Sequence, residues 1–278
     1  MFIKSFSKIN LSLRVTKKLS SGLHDLQSYF CLVDLCDQIK IKKIKGKKNI
    51  IKFYGKFNKD VNLKDNSVIN TLKTLKNNKL ISNQYSVYVK KNIPVFSGLG
   101  GGTSNAVFLA KYLIKDKKKL KILKLLDKNV GSDAKLFFQD QGYLENINKI
   151  HEFKKKYMMY FLLVAPDIKC STKDVYSKVR NLSSRLKNNF RSINKKDKFM
   201  NVLKNDRNDL QLIVEKKHLN IKRLILEISK IEGCIFSRMT GSGSVCYGVF
   251  KSKKRVKTAL NRIKLRYPKY WSVIAKTI

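Results

Sequence analysis

The chain has 278 residues, enough for one large domain or two smaller ones. Its 61 Lys and Arg against 19 Asp and Glu give a formal charge of +42, yet 43% hydrophobic content is that of an ordinary globular chain and excludes global disorder. No run of 18 apolar residues occurs, which excludes a transmembrane helix, and five scattered cysteines without a CxxC pair argue against a zinc site or a disulfide scaffold and fit a reducing compartment.

The charge invites a nucleic-acid reading, but its make-up argues otherwise. Arginine, the residue that grips phosphates and bases with two hydrogen bonds, numbers ten against 51 lysines. The basic residues run from Lys4 to Lys276 without gathering in one arm, and Lys, Ile and Asn are abundant together, as A/T-rich codons produce. The charge is read as compositional drift that attracts polyanions non-specifically, with no specific nucleic acid and no membrane as partner. The first residues, Met1-Phe-Ile-Lys-Ser-Phe-Ser-Lys8, lack the long apolar run of a secretory signal, so a cytoplasmic location is expected.

Apolar and polar residues alternate from Ile9 to Val15, which predicts a half-buried strand over 6–15. Strands follow over 26–44, and the polar stretch 45–66, with Gly46 and Gly55, predicts a hairpin and loop. Val68, Leu72 and Leu75 mark a helix over 68–80, and Tyr85, Val87 and Val89 a strand. Four glycines then occur within Gly98-Leu-Gly-Gly-Gly102, followed by Ala106, Leu109, Ala110 and Leu113 at helical spacing. A Lys-rich helix is predicted over 115–128, a small-residue interruption at Val130–Ala134, and a strand over 157–164. Helical patterns follow at 171–187, 197–215 and 219–231. Residues 236–250 read as turn, glycine loop and strand, 253–265 as a helix and 271–274 as a strand. The segments alternate without a strict βαβ rhythm, so the fold class is α+β, divided into domains at 1–155 and 156–278.

The order strand, glycine loop, helix predicts a phosphate cradle. Glycines admit positive φ and close approach, and the helix aims its first N–H groups and its dipole at an anion. It is neither a Walker A loop, since no Lys-Ser/Thr follows the last glycine, nor a GxGxxG fingerprint. From the residues alone, the chain binds a phosphate-rich ligand and is read as a phosphotransferase.

The run Pro94-Val-Phe-Ser-Gly-Leu-Gly-Gly-Gly-Thr-Ser-Asn-Ala106 resembles the nucleotide loop of the GHMP small-molecule kinases. Five further segments resemble that family in order: Ser7-Lys-Ile-Asn-Leu11, Gly22-Leu-His-Asp-Leu-Gln27, Gly131-Ser-Asp-Ala134, Asn208-Asp-Leu210 and Ser237-Arg-Met-Thr-Gly-Ser-Gly243. Within the family they look most like the branch that phosphorylates the 2-hydroxyl of 4-diphosphocytidyl-2-C-methyl-D-erythritol in the non-mevalonate route to isoprenoid precursors. The resemblance implies a two-domain fold with a ribosomal-S5-like N-terminal and a ferredoxin-like C-terminal domain. It implies ATP on Pro94, Val95, Phe96, Ser97, Gly98, Leu99, Gly100, Gly101, Gly102, Thr103 and Ser104, with Mg2+ near the phosphates and the Ser104 hydroxyl as a candidate ligand.

Asp133 is the candidate base, since a carboxylate can take the proton of an attacking alcohol. The resemblance pairs Lys8 with it. Asn10, two residues on, falls on the same strand face and is a candidate for a substrate hydroxyl. His24 is implied to border the cytosine pocket with Tyr176 opposite, and Thr240, Gly241 and Ser242 to form a second glycine loop at the phosphates. Two departures stand out: Leu23 replaces a customary aromatic that stacks on cytosine, and Lys135-Leu136 stands where Val-Pro-Phe is common after the aspartate. Asp209 and the cysteines are read as structural, and the chain as a monomer or homodimer. The rival readings are another GHMP kinase, such as homoserine kinase, and a non-catalytic RNA-binding protein on an S5-like fold.

Overall fold

The computed structural model describes residues 2–115, 119–186 and 195–278. The chain divides into two units. One comprises Met1–Lys8, Leu35–Val95 and Gly100–Gln139, the other Ile9–Asp34, Phe96–Leu99 and Asp140–Ile278. Three strands come first: β1 (Ile3–Asn10), β2 (Arg14–Lys18) and β3 (His24–Ile44). The strand predicted over 6–15 is thus interrupted at residues 11–13, where Leu13 leaves the line to exchange backbone hydrogen bonds with Arg207 and Asp209.

In the first unit, Gln38–Ile44 of β3 pair antiparallel with a strand at Gln84–Lys90. That strand pairs in parallel on its other side with β4 (Ile50–Tyr54), so it is β5 in the chain. The predicted hairpin over 45–66 is therefore corrected. Between β4 and β5 the chain runs through α1 (Ser67–Asn77), and a parallel pair requires such a crossover. The Asn66 side chain caps α1 by accepting from the N–H groups of Val68 and Ile69. Val68 and Leu72 join Ile39, Val87, Val89 and Leu109 in one apolar core. Then come α2 (Gly101–Ile114), α3 (Lys119–Asn129) and a 3-10 turn over Ser132–Phe138. Residues 116–118 of the Lys-rich helix predicted over 115–128 lie outside the described residues.

In the second unit, β2 and β6 (Gln141–Asn146) pair antiparallel with successive parts of β3, and β6 turns into β7 (Lys149–Glu152). Neither β6 nor β7 was legible in the sequence, because both faces of β6 are buried over its first four residues and the alternation vanishes. The remaining elements are β8 (Tyr160–Ala165), α4 (Thr172–Ser177), α5 (Lys196–Asn205), α6 (Asp209–Lys217), α7 (Leu219–Ser229), β9 (Cys234–Met239), β10 (Cys246–Phe250), α8 (Lys253–Arg266) and β11 (Trp271–Lys276). They build an antiparallel sheet of order β11-β8-β10-β9, whose core draws Leu210 from α6, Leu224 and Ile228 from α7 and Val256 from α8.

The helix predicted over 171–187 ends at Ser177, because Ser183 instead donates its N–H to Val15 O and its hydroxyl to Asp209. Residue 187 lies outside the described residues. The helix predicted over 197–215 is two helices. Asp206 leaves the helical line to accept from Arg14 Nε at 2.7 Å, and Asn208 begins α6 as its cap. The turn expected at 236 is strand β9. The α+β class stands as predicted, and the strands form two sheets.

Candidate active site

Lys8 lies near the end of β1, with its side chain only 3% exposed. Its Nζ is 3.4 Å from Oδ2 of Asp133, whose side chain is 41% exposed. Asp133 is the second residue of the 3-10 turn, which starts after Gly131. One carboxylate thus reaches solvent while its cationic partner is fixed in the interior. That is the arrangement a base needs when it must meet a ligand hydroxyl without drifting.

The same unit supplies an anion site beside this pair. Gly100 is the N-cap of α2 in the left-handed conformation (φ 69°), and no side chain caps the helix. A Cβ at Gly100 would lie 3.3 Å from the Lys8 side chain and 2.8 Å from the ring of Phe137. The glycine therefore lets the helix start against the stem of Lys8, with its first N–H groups uncapped by any side chain. An uncapped N-terminus next to a buried ammonium fits the phosphates of a nucleotide. Ser104 is fully buried. Its hydroxyl donates to Phe6 O at 2.6 Å and lies 2.6 Å from Ser5 Oγ. Among the described residues no group of three His, Cys, Asp or Glu is gathered that could hold a metal ion.

Ahead of the loop stands a pair that sequence reasoning missed. Asp37, fully buried, is ion-paired with Lys91 and accepts the N–H groups of Asn92 and Ile93 at 2.7 and 2.9 Å. These contacts fix the chain at the entrance to Pro94 and Val95. Lys91 carried no signal among 51 lysines, and Asp37 sits inside an apolar strand.

In the second unit, Ser97-Gly98-Leu99 packs on the loop after β9. Gly98 has φ 75°, and a Cβ there would fall 2.1 Å from Thr240 O, so only glycine fits. Val245 donates its N–H to Ser97 O. Phe96, before them, is 52% exposed. Asn10 donates its N–H to Thr240 Oγ1 and its Nδ2 to Ser28 Oγ, both at 2.9 Å, and is almost wholly buried. Thr240 is buried, Gly241 has φ 54°, and Ser242 Oγ is 3.0 Å from Thr172 Oγ1. Asn208 holds this loop by donating from Nδ2 to the carbonyls of Met239 and Gly241, both at 2.8 Å. Its motif was visible in the sequence, but its task was not. Asp209 accepts from Val15 N–H, Ser183 Oγ and Arg207 Nε, a purely internal network.

His24 opens β3, and its ring centroid is 5.3 Å from that of Tyr176 at 32°. Burial, with Lys18 nearby, holds the imidazole below its ordinary pKa and so favours the neutral ring. Leu23, just before it, is 49% exposed. All five thiols are free, and burial pushes those of Cys31, Cys170, Cys234 and Cys246 upward, as inert core residues require. No helix of the described residues is long and apolar enough to cross a membrane.

With this geometry in hand, comparison with known proteins is direct. The model of the GHMP kinases N terminal domain matches residues 66–129, and that of GHMP kinases C terminal matches residues 185–269. The chain is 36% identical over 282 residues to the 4-diphosphocytidyl-2-C-methyl-D-erythritol kinase of Pelagibacter ubique (strain HTCC1062), covering 99% of this chain and 98% of that one. It is 32% identical to the enzyme of that name from Wolbachia sp. subsp. Brugia malayi (strain TRS), over 99% and 98% of the two chains. A crystal structure of 4-(cytidine 5'-diphospho)-2C-methyl-D-erythritol kinase superposes with a TM-score of 0.76 over 99% of each chain at 18% identity. Homoserine kinase from Cytophaga hutchinsonii superposes at 0.65 over 100% of this chain and 94% of the other, at 14% identity. The two structures share the fold, and the sequence relatives settle the branch: the chain belongs to the GHMP kinase family, among its 4-diphosphocytidyl-2-C-methyl-D-erythritol kinases.

Proposed function

We propose that the chain transfers the γ-phosphoryl group of ATP to the 2-hydroxyl of 4-diphosphocytidyl-2-C-methyl-D-erythritol, yielding the 2-phosphate and ADP. The observation that carries the reading is the convergence, in one unit, of Asp133, Lys8 and the uncapped start of α2. The substrate oxygen forms the new bond to the γ-phosphorus as the bond to the β–γ bridging oxygen breaks. The hydroxyl proton passes to the Asp133 carboxylate and from there to solvent. Phosphoryl transfer proceeds through a loose transition state, so positioning counts as much as basicity. Lys8 holds Asp133 in place and offers its ammonium to the transferring group. The N–H groups at Gly101–Thr103 take phosphate oxygens, the Ser104 N–H already donating to Gly100 O. Pro94 and Val95, braced by Asp37 and Lys91, with Phe96–Leu99, complete the nucleotide loop.

Mg2+, if bound with the nucleotide, would supply charge neutralisation to the phosphates. Ser104, the side-chain ligand expected at the helix start, is fully buried and donates its hydroxyl to Phe6 O, so it would have to give up that bond to meet the ion. His24 and Tyr176 take the cytosine ring, the neutral imidazole serving as a hydrogen-bond partner for the base. Asn10 and the Thr240-Gly241-Ser242 loop contact the rest of the substrate. The cytoplasm, where ATP is abundant and thiols stay reduced, is the assigned location.

The test is ADP release with Mg-ATP and the cytidylated substrate, beside homoserine and no-acceptor controls. Turnover is expected with the cytidylated substrate alone, and Asp133→Asn should lower kcat by about 10²–10⁴ with little change in KM. Turnover on homoserine alone would overturn the substrate. A fully active Asp133→Asn would overturn the base.

A further inference from the structure

Lys135-Leu136 stands where the resemblance to the GHMP kinases leads one to expect Val-Pro-Phe after the aspartate. Proline fixes φ without any partner, and a lysine backbone does not, so the turn that carries Asp133 needs another restraint. One is present. The Nζ of Lys135 is 3.4 Å from Oδ2 of Asp127, near the end of α3, and the two side chains are only 14% and 31% exposed. The Lys135 backbone N–H also points to this carboxylate. The junction between α3 and the turn is tied as well by the N–H groups of Val130 and Gly131, both donating to Leu126 O.

Lys135 lies two residues beyond Asp133 in the same 3-10 turn, so whatever holds Lys135 sets the rotation of that turn and hence the aim of the Asp133 carboxylate toward Lys8. Asp127 stays where it is at some cost: its Oδ1 is buried and without a hydrogen bond among the described residues. Burial raises its pKa, Lys135 opposes the rise, and the charge of Asp133 is close enough to add to it.

We infer that the Asp127–Lys135 ion pair is a latch that fixes the turn bearing Asp133, making Asp127 and Lys135 positioning residues for phosphoryl transfer. The inference rests on the kinase reading above for its catalytic consequence, but not for the latch itself.

The experiment is a mutant cycle on the full chain. Lys135→Met is expected to lower kcat about 10- to 100-fold at nearly constant KM, and Asp127→Asn to do the same, since a small misplacement of a reacting group costs that much. Lys135→Arg, which keeps the pair, should stay within about twofold of the parent. In an Asp133→Asn background, Lys135→Met should cost less than about twofold more, because the group it positions is already gone. Hydrogen exchange of the 131–138 amides, read without substrate, should quicken in Lys135→Met and in Asp127→Asn but not in Lys135→Arg. A Lys135→Met protein with parental kcat, or an equal loss in the Asp133→Asn background, would overturn the proposal. If the parent fails to turn over the cytidylated substrate, the kinase reading falls, while the exchange rates still decide for or against the latch.

Discussion

At Leu23 the chain offers an exposed aliphatic side chain next to His24, whose ring faces Tyr176. A leucine can cover a base, but it lacks an aromatic face, and a stacked base is worth about 1–3 kcal/mol. Leu23→Tyr should therefore tighten binding of the cytidylated substrate by about 5- to 150-fold by calorimetry, with kcat little changed. His24 gives that binding a pH dependence. The imidazole pKa is held below its ordinary value, so the ring is neutral at neutral pH and protonates only on further acidification. Protonation removes the acceptor, so KM should rise only on acidification past the ordinary imidazole range and stay flat at neutral and higher pH, while His24→Gln should lose this acid limb. His24 and Asp133 were legible as residues because each sits in a short motif. Asp37 and Lys91 were not, because nothing in the sequence distinguishes a lysine or aspartate that braces a loop from one that faces water, and Asn208 showed its motif but not the loop it holds.

The glycine loop shows at the scale of an element what one motif can hide. Gly98 and Gly102 look equivalent in the sequence, but their surroundings differ. A Cβ at Gly98 would strike Thr240 O, whereas one at Gly102 would meet only Ser67 Oγ at an ordinary 3.5 Å. Gly98→Ala should lower the melting temperature sharply or prevent folding. Gly102→Ala should leave stability unchanged or raise it by about 0.5–1 kcal/mol through helix propensity, yet weaken ATP binding where the added methyl stands among the phosphate-facing N–H groups. Thermal melts with and without ATP separate the two. Periodicity exposed the elements that bury one face, α1 and β5 among them. It failed where burial is two-sided, as in β6, and where a side chain from far along the sequence ends a helix, as Arg14 does at Asp206. The order of β4, β5 and β3 was equally out of reach, since a polar stretch with two glycines signals a turn without saying which strand lies beyond it.

Over the whole molecule the charge of +42 creates a field that favours any anion, both reactants included. Raising ionic strength from about 0.05 to about 0.5 M should raise KM for both anionic substrates while leaving kcat in place. Retention on heparin should fall over the same range and be identical for the parent and Asp133→Asn, which separates the field from the chemistry. A different consequence follows from how the second unit is closed. β11 supplies an edge of its sheet, Val33 bridges to Thr277, and Ile278 donates its N–H to Leu32 O. Residues near the start of the chain thus wait for residues at 271–278 before their unit is finished. Contacts of such long sequence separation cost chain entropy before they offset it, so closing this seam is expected to come late in the folding of the unit.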